Sequence, residues 1–91
     1  MTKLYIISGP MGGTSTELKG EVTFIGRASD NDIQIKDRSV SRKHVKIVKR
    51  NGILHIEDLK SENGTWIDGD PIRPGFDFEI EEGLPVSIGD T

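Results

Sequence analysis

Apolar and polar residues alternate one by one in several short runs of this chain, and this period of two most constrains its fold. The clearest runs are residues 32–36, 44–47 and 76–81. Side chains of a β-strand point alternately to its two faces, whereas an amphipathic helix places apolar residues three or four positions apart. No segment of useful length has the helical spacing, so the pattern predicts an all-β fold.

The types of apolar residue support the same prediction. Val and Ile together number 17, whereas Ala and Leu together number only 6. β-Branched side chains pack well on a pleated sheet and are restricted in a helix. Asn51-Gly52 has the residue types of a tight hairpin turn, and further strands are predicted at residues 4–7, 22–25, 53–57, 65–67 and 86–88. Many short strands joined by turns are typical of a sandwich or a barrel.

Length and residue types exclude several classes of protein. Ninety-one residues, or 10.0 kDa, suffice for one small domain, taken here as residues 1–91, and leave little room for a deep active-site cleft. The lack of cysteine excludes disulfides, thiolate nucleophiles and cysteine zinc sites. No signal peptide or membrane-spanning run is recognisable, so we expect a soluble, cytoplasmic protein.

No pattern of catalytic or metal-ligating residues is recognisable either. The glycine-rich segment 9–16 lacks the lysine of a phosphate-binding loop. The pairs Asp30/Asp32 and Asp68/Asp70 lack the further oxygen ligands of a calcium loop, and two histidines eleven residues apart make a poor zinc site. We therefore expect a protein that is not an enzyme and that uses no metal and no cofactor.

Charge is distributed unevenly along the chain, although its net value is only −3. Residues 26–50 carry eight basic and three acidic side chains, whereas residues 51–91 carry two basic and ten acidic ones. Nucleic-acid binding favours a broad positive face, so an acidic chain with one basic segment is poorly suited to it. The basic segment is better suited to a small anionic ligand held at one place.

Three turn segments in and after this basic region are rich in hydrogen-bond donors. They are residues 26–31, 36–44 and 59–65, and they contain arginines, hydroxyl groups and a carboxamide with few apolar side chains. Guanidinium, hydroxyl and amide N–H groups bind oxyanions and peptide backbone. Since loops on a rigid scaffold often carry its function, these segments predict a site for an anionic group on a peptide.

The same segments resemble the sequence pattern of the forkhead-associated (FHA) family, and the likeness extends from about residue 4 to residue 89. The chain has, in the order of the family's motifs, Gly26-Arg27, Ser41-Arg42-Lys43-His44 and Ser61-Glu62-Asn63-Gly64-Thr65. The resemblance implies a two-sheet β-sandwich of short antiparallel strands, with the ligand-binding loops at one end.

The resemblance further implies recognition of phosphothreonine peptides in protein kinase signalling. Arg27, Ser41 and Arg42 would hold the phosphate, and Asn63 would hold the peptide backbone. The residues implied to support this site are Gly26, His44, Gly64 and Thr65. The partner would be a phosphothreonine-containing substrate of a Ser/Thr protein kinase, or such a kinase itself, with no nucleic acid and no membrane involved.

The chain departs from the family pattern in three places. Glu62 stands where many members have serine or threonine, and its carboxylate is expected to repel a phosphate unless it faces solvent or pairs with Arg42 or Lys43. Leu84 stands where an aspartate is usual. The family's last strand has no counterpart, so we expect a domain cut from a longer protein, or an open edge at residues 4–7 that allows weak dimerisation.

Two other functions stay open at this stage. One is a scaffolding or oligomerisation module that binds partners without phosphate. The other, more distant, is nucleic-acid binding by the basic segment of residues 26–50. We further expect Trp66 to lie in the core and His55 to be an ordinary strand residue.

Overall fold

A computed structural model describes residues 3–6, 13–18, 20–81 and 83–89 of the chain. Within these residues the backbone forms ten β-strands, and no helix of membrane-spanning length and apolarity occurs among them. The strands are β1 (Lys3–Ile6), β2 (Thr14–Glu17), β3 (Val22–Gly26), β4 (Ile33–Gln34), β5 (Val45–Arg50), β6 (Ile53–Asp58), β7 (Thr65–Ile67), β8 (Asp70–Pro71), β9 (Asp77–Ile80) and β10 (Val86–Ile88). Of the first predicted strand, Ile7 lies outside the described residues.

Five strands form the larger sheet, in the order β4-β3-β5-β6-β9. Neighbouring strands are antiparallel except β3 and β4, which pair in parallel, so the prediction of antiparallel strands is wrong for this one pair. The strand predicted at 32–36 is also shorter than expected, since β4 contains only two residues. It ends early because the backbone turns at once, with the N–H of Asp37 donating to the carbonyl oxygen of Ile35 at 3.0 Å.

The β5–β6 hairpin confirms the tight turn predicted at Asn51-Gly52. Arg50 pairs directly with Ile53, so the turn contains only two residues. Their φ angles are 53° and 79°, and left-handed values of this kind at both turn positions match the twist of the flanking strands. Asparagine and glycine are the residues that adopt such angles at least cost.

The other strands form a three-stranded sheet, β10-β7-β8, and a separate pair, β1-β2. The sequence analysis missed two of these strands. β2 was missed because Thr14–Glu17 has no apolar alternation, and β8 because Asp70–Pro71 has the residue types of a turn. Proline is tolerated in β8 since this strand lies at the edge of its sheet, where one side needs no N–H donor.

One apolar core joins the five-stranded and three-stranded sheets. Along β5, Val45 and Ile47 are buried while Lys46 between them is only partly covered, as the period of two predicted. Each such buried side chain stabilises the fold by about 1.5–3 kcal/mol. The packing of both sheets against this core confirms the predicted β-sandwich. The buried apolar residues are Ile25, Ile33, Ile35, Val40, Val45, Ile47, Ile56 and Ile88.

The strand predicted at 76–81 is present as β9, but its residues do not alternate between buried and exposed, and the aromatic residues on and beside it are exposed. Phe76 and Phe78 keep 55% and 36% of their surface exposed. The cause is position, because β9 is an edge strand of the larger sheet and, among the described residues, pairs only with β6. The guanidinium of Arg73 lies over the ring of Phe76, 5.1 Å from its centroid, and covers part of it.

The register of the larger sheet brings three loops to one end of the sandwich. Ile25, near the end of β3, pairs with Val45 at the start of β5, which in turn pairs with Asp58 at the end of β6. The connections at this end are the 27–32 loop after β3, the 35–44 loop before β5 and the 59–64 loop after β6. The polar segments singled out from the sequence therefore share one end, as predicted.

Candidate functional site

Segment 39–41 is the place where the three loops meet. The N–H of Arg27 donates to the carbonyl oxygen of Ser41 at 2.9 Å, and its Nε donates to that of Val40 at 3.0 Å. From the 59–64 loop, Nδ2 of Asn63 donates to the carbonyl oxygen of Ser39 at 2.9 Å. The structure therefore brings Arg27, Ser41 and Asn63 together, although they are far apart in the sequence.

Short-range hydrogen bonds fix segment 39–41 in this position. The carboxylate of Asp37 accepts the N–H and the hydroxyl of Ser39, each at 2.9 Å, which is a common way for aspartate to start a turn. The carbonyl oxygen of Asp37 accepts the N–H of Val40 at 3.0 Å, and the side chain of Val40 is fully buried. The sequence analysis did not foresee this role of Asp37, which only its spacing from Ser39 could have suggested.

Two arginines present guanidinium groups at this end. Arg27 is exposed and uses only its Nε within the described part of the chain, so its two terminal amino groups keep their donors. The side chain of Arg42 is also exposed, and its carbonyl oxygen is held by the N–H of Ala28 at 3.2 Å and by Nδ2 of Asn31 at 2.7 Å. A planar guanidinium with free amino groups suits the oxygens of a phosphate.

The hydroxyl of Ser41 is oriented by its neighbours. Its N–H donates to Nδ1 of His44 at 3.0 Å, and its Oγ accepts the N–H of Glu62 at 3.0 Å. Because Oγ is the acceptor in the second bond, its own hydrogen remains available to an anion. Asn63 similarly uses one amide hydrogen and keeps its Oδ1 and a second hydrogen, the donor and acceptor that a peptide group needs.

His44 joins two of the loops from a fully buried position. Since Nδ1 accepts the N–H of Ser41, the ring proton lies on Nε2, which donates to the carbonyl oxygen of Gly64 at 2.8 Å. Burial lowers the pKa of His44, although the bond to Gly64 and the charge of Asp58 act in the opposite direction. The imidazole therefore bonds to both the 35–44 loop and the 59–64 loop.

Asp58 anchors the 59–64 loop, and the sequence analysis missed it. Its carboxylate is fully buried and accepts the N–H of Ser61 at 2.7 Å, the hydroxyl of Ser61 at 2.5 Å and the hydroxyl of Thr65 at 2.6 Å. Burial alone would raise the pKa of Asp58, but these hydrogen bonds and the nearby His44 lower it overall. The available signal was the period of two, which places Asp58 on the same inward face as Ile56.

Two glycines allow close packing in the site. A Cβ on Gly26 would collide with the carbonyl oxygen of Arg42, so a side chain there would separate two of the loops. Gly64 has a φ of 92°, and a Cβ there would lie 3.1 Å from the ring of Trp66. Trp66 is thus only partly buried, beside the site, whereas the sequence analysis expected it in the core.

Asn31 is a second residue that the sequence analysis did not single out. Its Nδ2 donates to the carbonyl oxygens of Ala28 at 2.8 Å and Arg42 at 2.7 Å, which ties the 27–32 loop to the 35–44 loop. Its Oδ1 is buried without a hydrogen-bond partner among the described residues. An asparagine in a turn is common enough that sequence alone gave no reason to choose it.

Glu62 is exposed and takes part in none of the ion pairs formed by the described residues. Pairing with Lys43, one of the arrangements considered from the sequence, is not observed. Lys43 instead lies 3.4 Å from the carboxylate of Asp30 and 5.3 Å from the centroid of the Phe24 ring. The carboxylate of Glu62 therefore has no ion-pair partner among the described residues, while its backbone N–H contacts Ser41.

Taken together, guanidinium, hydroxyl and carboxamide groups from three loops lie around segment 39–41 at this end of the sandwich. The described residues include no group of three or more His, Asp or Glu side chains able to hold a metal ion. Such an arrangement can bind an oxyanion and the adjoining peptide backbone through charge-assisted and neutral hydrogen bonds.

Comparison with known proteins identifies the same family along most of the chain. The family model of the FHA domain matches residues 23–89. The FHA domain-containing protein FhaB of Mycolicibacterium smegmatis is 33% identical over 89 residues, which cover 98% of this chain and 56% of that protein. The chain thus spans little more than half the length of this relative.

Solved structures agree with the sequence match. The solution structure of the FHA domain of an Arabidopsis thaliana hypothetical protein is similar with a TM-score of 0.89 and 31% identity, over 96% of this chain and 75% of that one. A structure from a structural and functional analysis of phosphothreonine-dependent FHA domain interactions gives a TM-score of 0.85 and 26% identity, over 97% and 86% of the two chains. With its fold, its loop motifs and the family model in agreement, this chain belongs to the FHA domain family.

Proposed function

We propose that this domain recognises phosphothreonine in a partner protein, as a binding module of cytoplasmic protein kinase signalling and not as an enzyme. Arg27, Arg42 and the hydroxyl of Ser41 bind the phosphate, and the side-chain amide of Asn63 binds the peptide backbone beside it. The observation that carries this proposal is that Arg27 and Asn63 both bond to segment 39–41, which contains Ser41.

The strength of the available interactions agrees with a phosphate-dependent module. Each charge-assisted hydrogen bond contributes about 1.5–3 kcal/mol. Three of them approach the ~8 kcal/mol of micromolar binding before the cost of ordering the peptide is subtracted. The phosphate is therefore necessary, and contacts to flanking peptide residues must supply the remainder.

The relatives give independent support. An FHA domain that shares this fold at a TM-score of 0.85 was solved in a study of phosphothreonine-dependent interactions. Phosphothreonine differs from phosphoserine by one methyl group, whose burial contributes only ~0.8 kcal/mol. A preference of several-fold for phosphothreonine is expected, and a larger one requires that the methyl group also restricts the side chain's conformation.

A titration with three peptides tests the proposal. The peptides have one sequence and carry phosphothreonine, phosphoserine or unmodified threonine, and binding is measured by calorimetry. The single tryptophan of the chain, Trp66, lies against Gly64 next to Asn63, so its fluorescence gives a second readout of binding. We expect phosphothreonine to bind most tightly and the unmodified peptide not to bind measurably.

Variants separate the site from the rest of the surface. Arg27→Ala and Ser41→Ala should abolish binding of the phosphothreonine peptide and leave the domain folded. Lys49→Ala and Ser87→Ala remove an exposed cation and an exposed hydroxyl elsewhere, and they should bind like the parent. Equal binding by Arg27→Ala and the parent, or equal affinity for the unmodified peptide, would contradict the proposal.

A phosphate-independent scaffolding or oligomerisation role is the second candidate, and one observation favours it. Phe76 and Phe78 are exposed on or beside β9, an edge strand that pairs only with β6 in the part of the chain that the structure describes. Exposed apolar groups at a sheet edge favour pairing with another chain. Oligomerisation through β9, or weak dimerisation through the edge of β1, predicts a molar mass in light scattering that rises with concentration. A constant monomer mass rejects both.

A further inference from the structure

The backbone of Glu62, an exposed residue, lies between two residues of the proposed binding site. Its N–H donates to Oγ of Ser41 at 3.0 Å, and the next residue, Asn63, is bonded to the carbonyl oxygen of Ser39. The backbone of Glu62 is therefore fixed between the group proposed to bind phosphate and the group proposed to bind the peptide.

The loop cannot easily move this carboxylate away. On the other side of Glu62, Ser61 is held by the buried carboxylate of Asp58 through both its N–H and its hydroxyl. The hydroxyl of Ser61 also accepts the N–H of Gly64 at 3.0 Å, which closes the loop on itself. Only the rotation of its own side chain can change the position of the Glu62 carboxylate.

The carboxylate of Glu62 takes part in no ion pair among the described residues. Lys43 pairs with Asp30 instead. A phosphate dianion bound at Ser41 would be repelled by the Glu62 carboxylate, since charges near a protein surface interact appreciably over several ångströms. A cationic side chain on the ligand changes the sign of this effect, because it is attracted by the phosphate and by Glu62 at once. The carboxylate of Glu62 thus disfavours phosphopeptides that lack a basic side chain near the phosphate and favours those that have one.

We propose that Glu62 forms a second subsite, which takes a lysine or arginine side chain of the phosphothreonine peptide. This inference rests on the proposed function and narrows its ligands to phosphothreonine sequences with a basic residue near the phosphate. Glu62 thereby acts as a specificity-determining residue that selects among phosphopeptides, and not simply as a group that weakens the site.

A lysine scan tests the subsite. The probes are seven-residue alanine-based peptides with a central phosphothreonine and one lysine at each of the six other positions in turn. Matched peptides carry norleucine, which has the same stem without the charge, in place of lysine. Affinities are measured for the parent domain, for Glu62→Gln, and for Glu21→Gln as a control, an exposed glutamate at the opposite end of β3.

At one or two positions, lysine should improve binding to the parent domain about two- to fivefold over norleucine, the range typical of exposed ion pairs. Glu62→Gln should lose this preference and bind the norleucine peptides more tightly than the parent does, whereas Glu21→Gln should keep the preference. The inference is overturned if the parent has no lysine preference, or if Glu62→Gln retains it. Loss of phosphate dependence in every peptide would instead reject the proposed function, which is a distinguishable result.

Discussion

Nε2 of His44 lies 2.8 Å from the carbonyl oxygen of Gly64 and joins the loop that carries Ser41 to the loop that carries Asn63. Because Nδ1 of the same ring accepts the N–H of Ser41, one buried side chain bonds to Ser41 and to Gly64, the residue that follows Asn63. The distance between the two loops is therefore fixed by a side chain that solvent does not reach.

Replacing this brace should weaken both stability and binding. His44→Phe keeps an aromatic ring but leaves the N–H of Ser41 without its acceptor, which costs about 1–3 kcal/mol. The carbonyl oxygen of Gly64 is less affected, since it also accepts the N–H of Gly89 at 3.0 Å. Denaturant unfolding measures the stability loss, and calorimetry should show weaker phosphothreonine binding; unchanged values for both would show that His44 is not a brace.

The pH dependence of unfolding should carry the signature of the same histidine. The pKa of His44 is lowered in the folded state from its ordinary value of 6.5, so the unfolded chain binds the proton more readily. The free energy of unfolding should therefore fall as pH decreases below 6.5, until the folded-state pKa is reached. His44→Phe should lack this contribution to the slope, and an unchanged slope in the variant would assign it to other groups. The measurement is made without peptide, because phosphate itself titrates near pH 6.

Asp58, which anchors the 59–64 loop, should make a second contribution to the loss of stability in acid. The pKa of Asp58 is lowered from 3.8, so its contribution to stability is present above that pH and is lost as pH falls through the folded-state pKa. Thr65→Val removes one hydrogen bond to this carboxylate with little change of shape and should cost about 1–2 kcal/mol. Thr23→Val is the control, since Thr23 is also buried but its hydroxyl bonds to none of the described residues. Equal stability of both variants would contradict the role assigned to Asp58.

The contact between two of the loops should be sensitive to a single methyl group. In Gly26→Ala the new Cβ collides with the carbonyl oxygen of Arg42, and the loops must separate, at a cost of about 1–3 kcal/mol. Gly20→Ala is the matched control, because a Cβ there meets its nearest atom at 3.6 Å. Thermal unfolding and the phosphothreonine titration should both distinguish the two variants. If Gly26→Ala behaves like Gly20→Ala, the loop contact is not needed.

Most of the fold could be predicted because its signals are local. The period of two around Val45 and Ile47 and the Asn51-Gly52 turn depend only on neighbouring residues. β2 and β8 could not be predicted, since their pairing is decided by distant strands and not by their own polar residues or proline. The parallel β3–β4 pair was missed for the same reason.

The meeting of the three loops was predictable where a motif marked a residue, and not where burial decided its role. Arg27, Ser41 and Asn63 stood out through their motifs, and the structure brings them together. Asp58 and Asn31 did not, because an acid in a strand and an amide in a turn are ordinary until the structure shows them inside the loop network.

The most direct test of the central claim is an amide NMR titration of the domain with phosphothreonine and unmodified versions of one peptide. We predict phosphate-dependent shifts that centre on the amides of Arg27, Ser41, Glu62 and Asn63 and on Nε of Arg27, with little change along β9. Phosphate-dependent shifts centred on β9, or identical shifts with both peptides, would contradict the account.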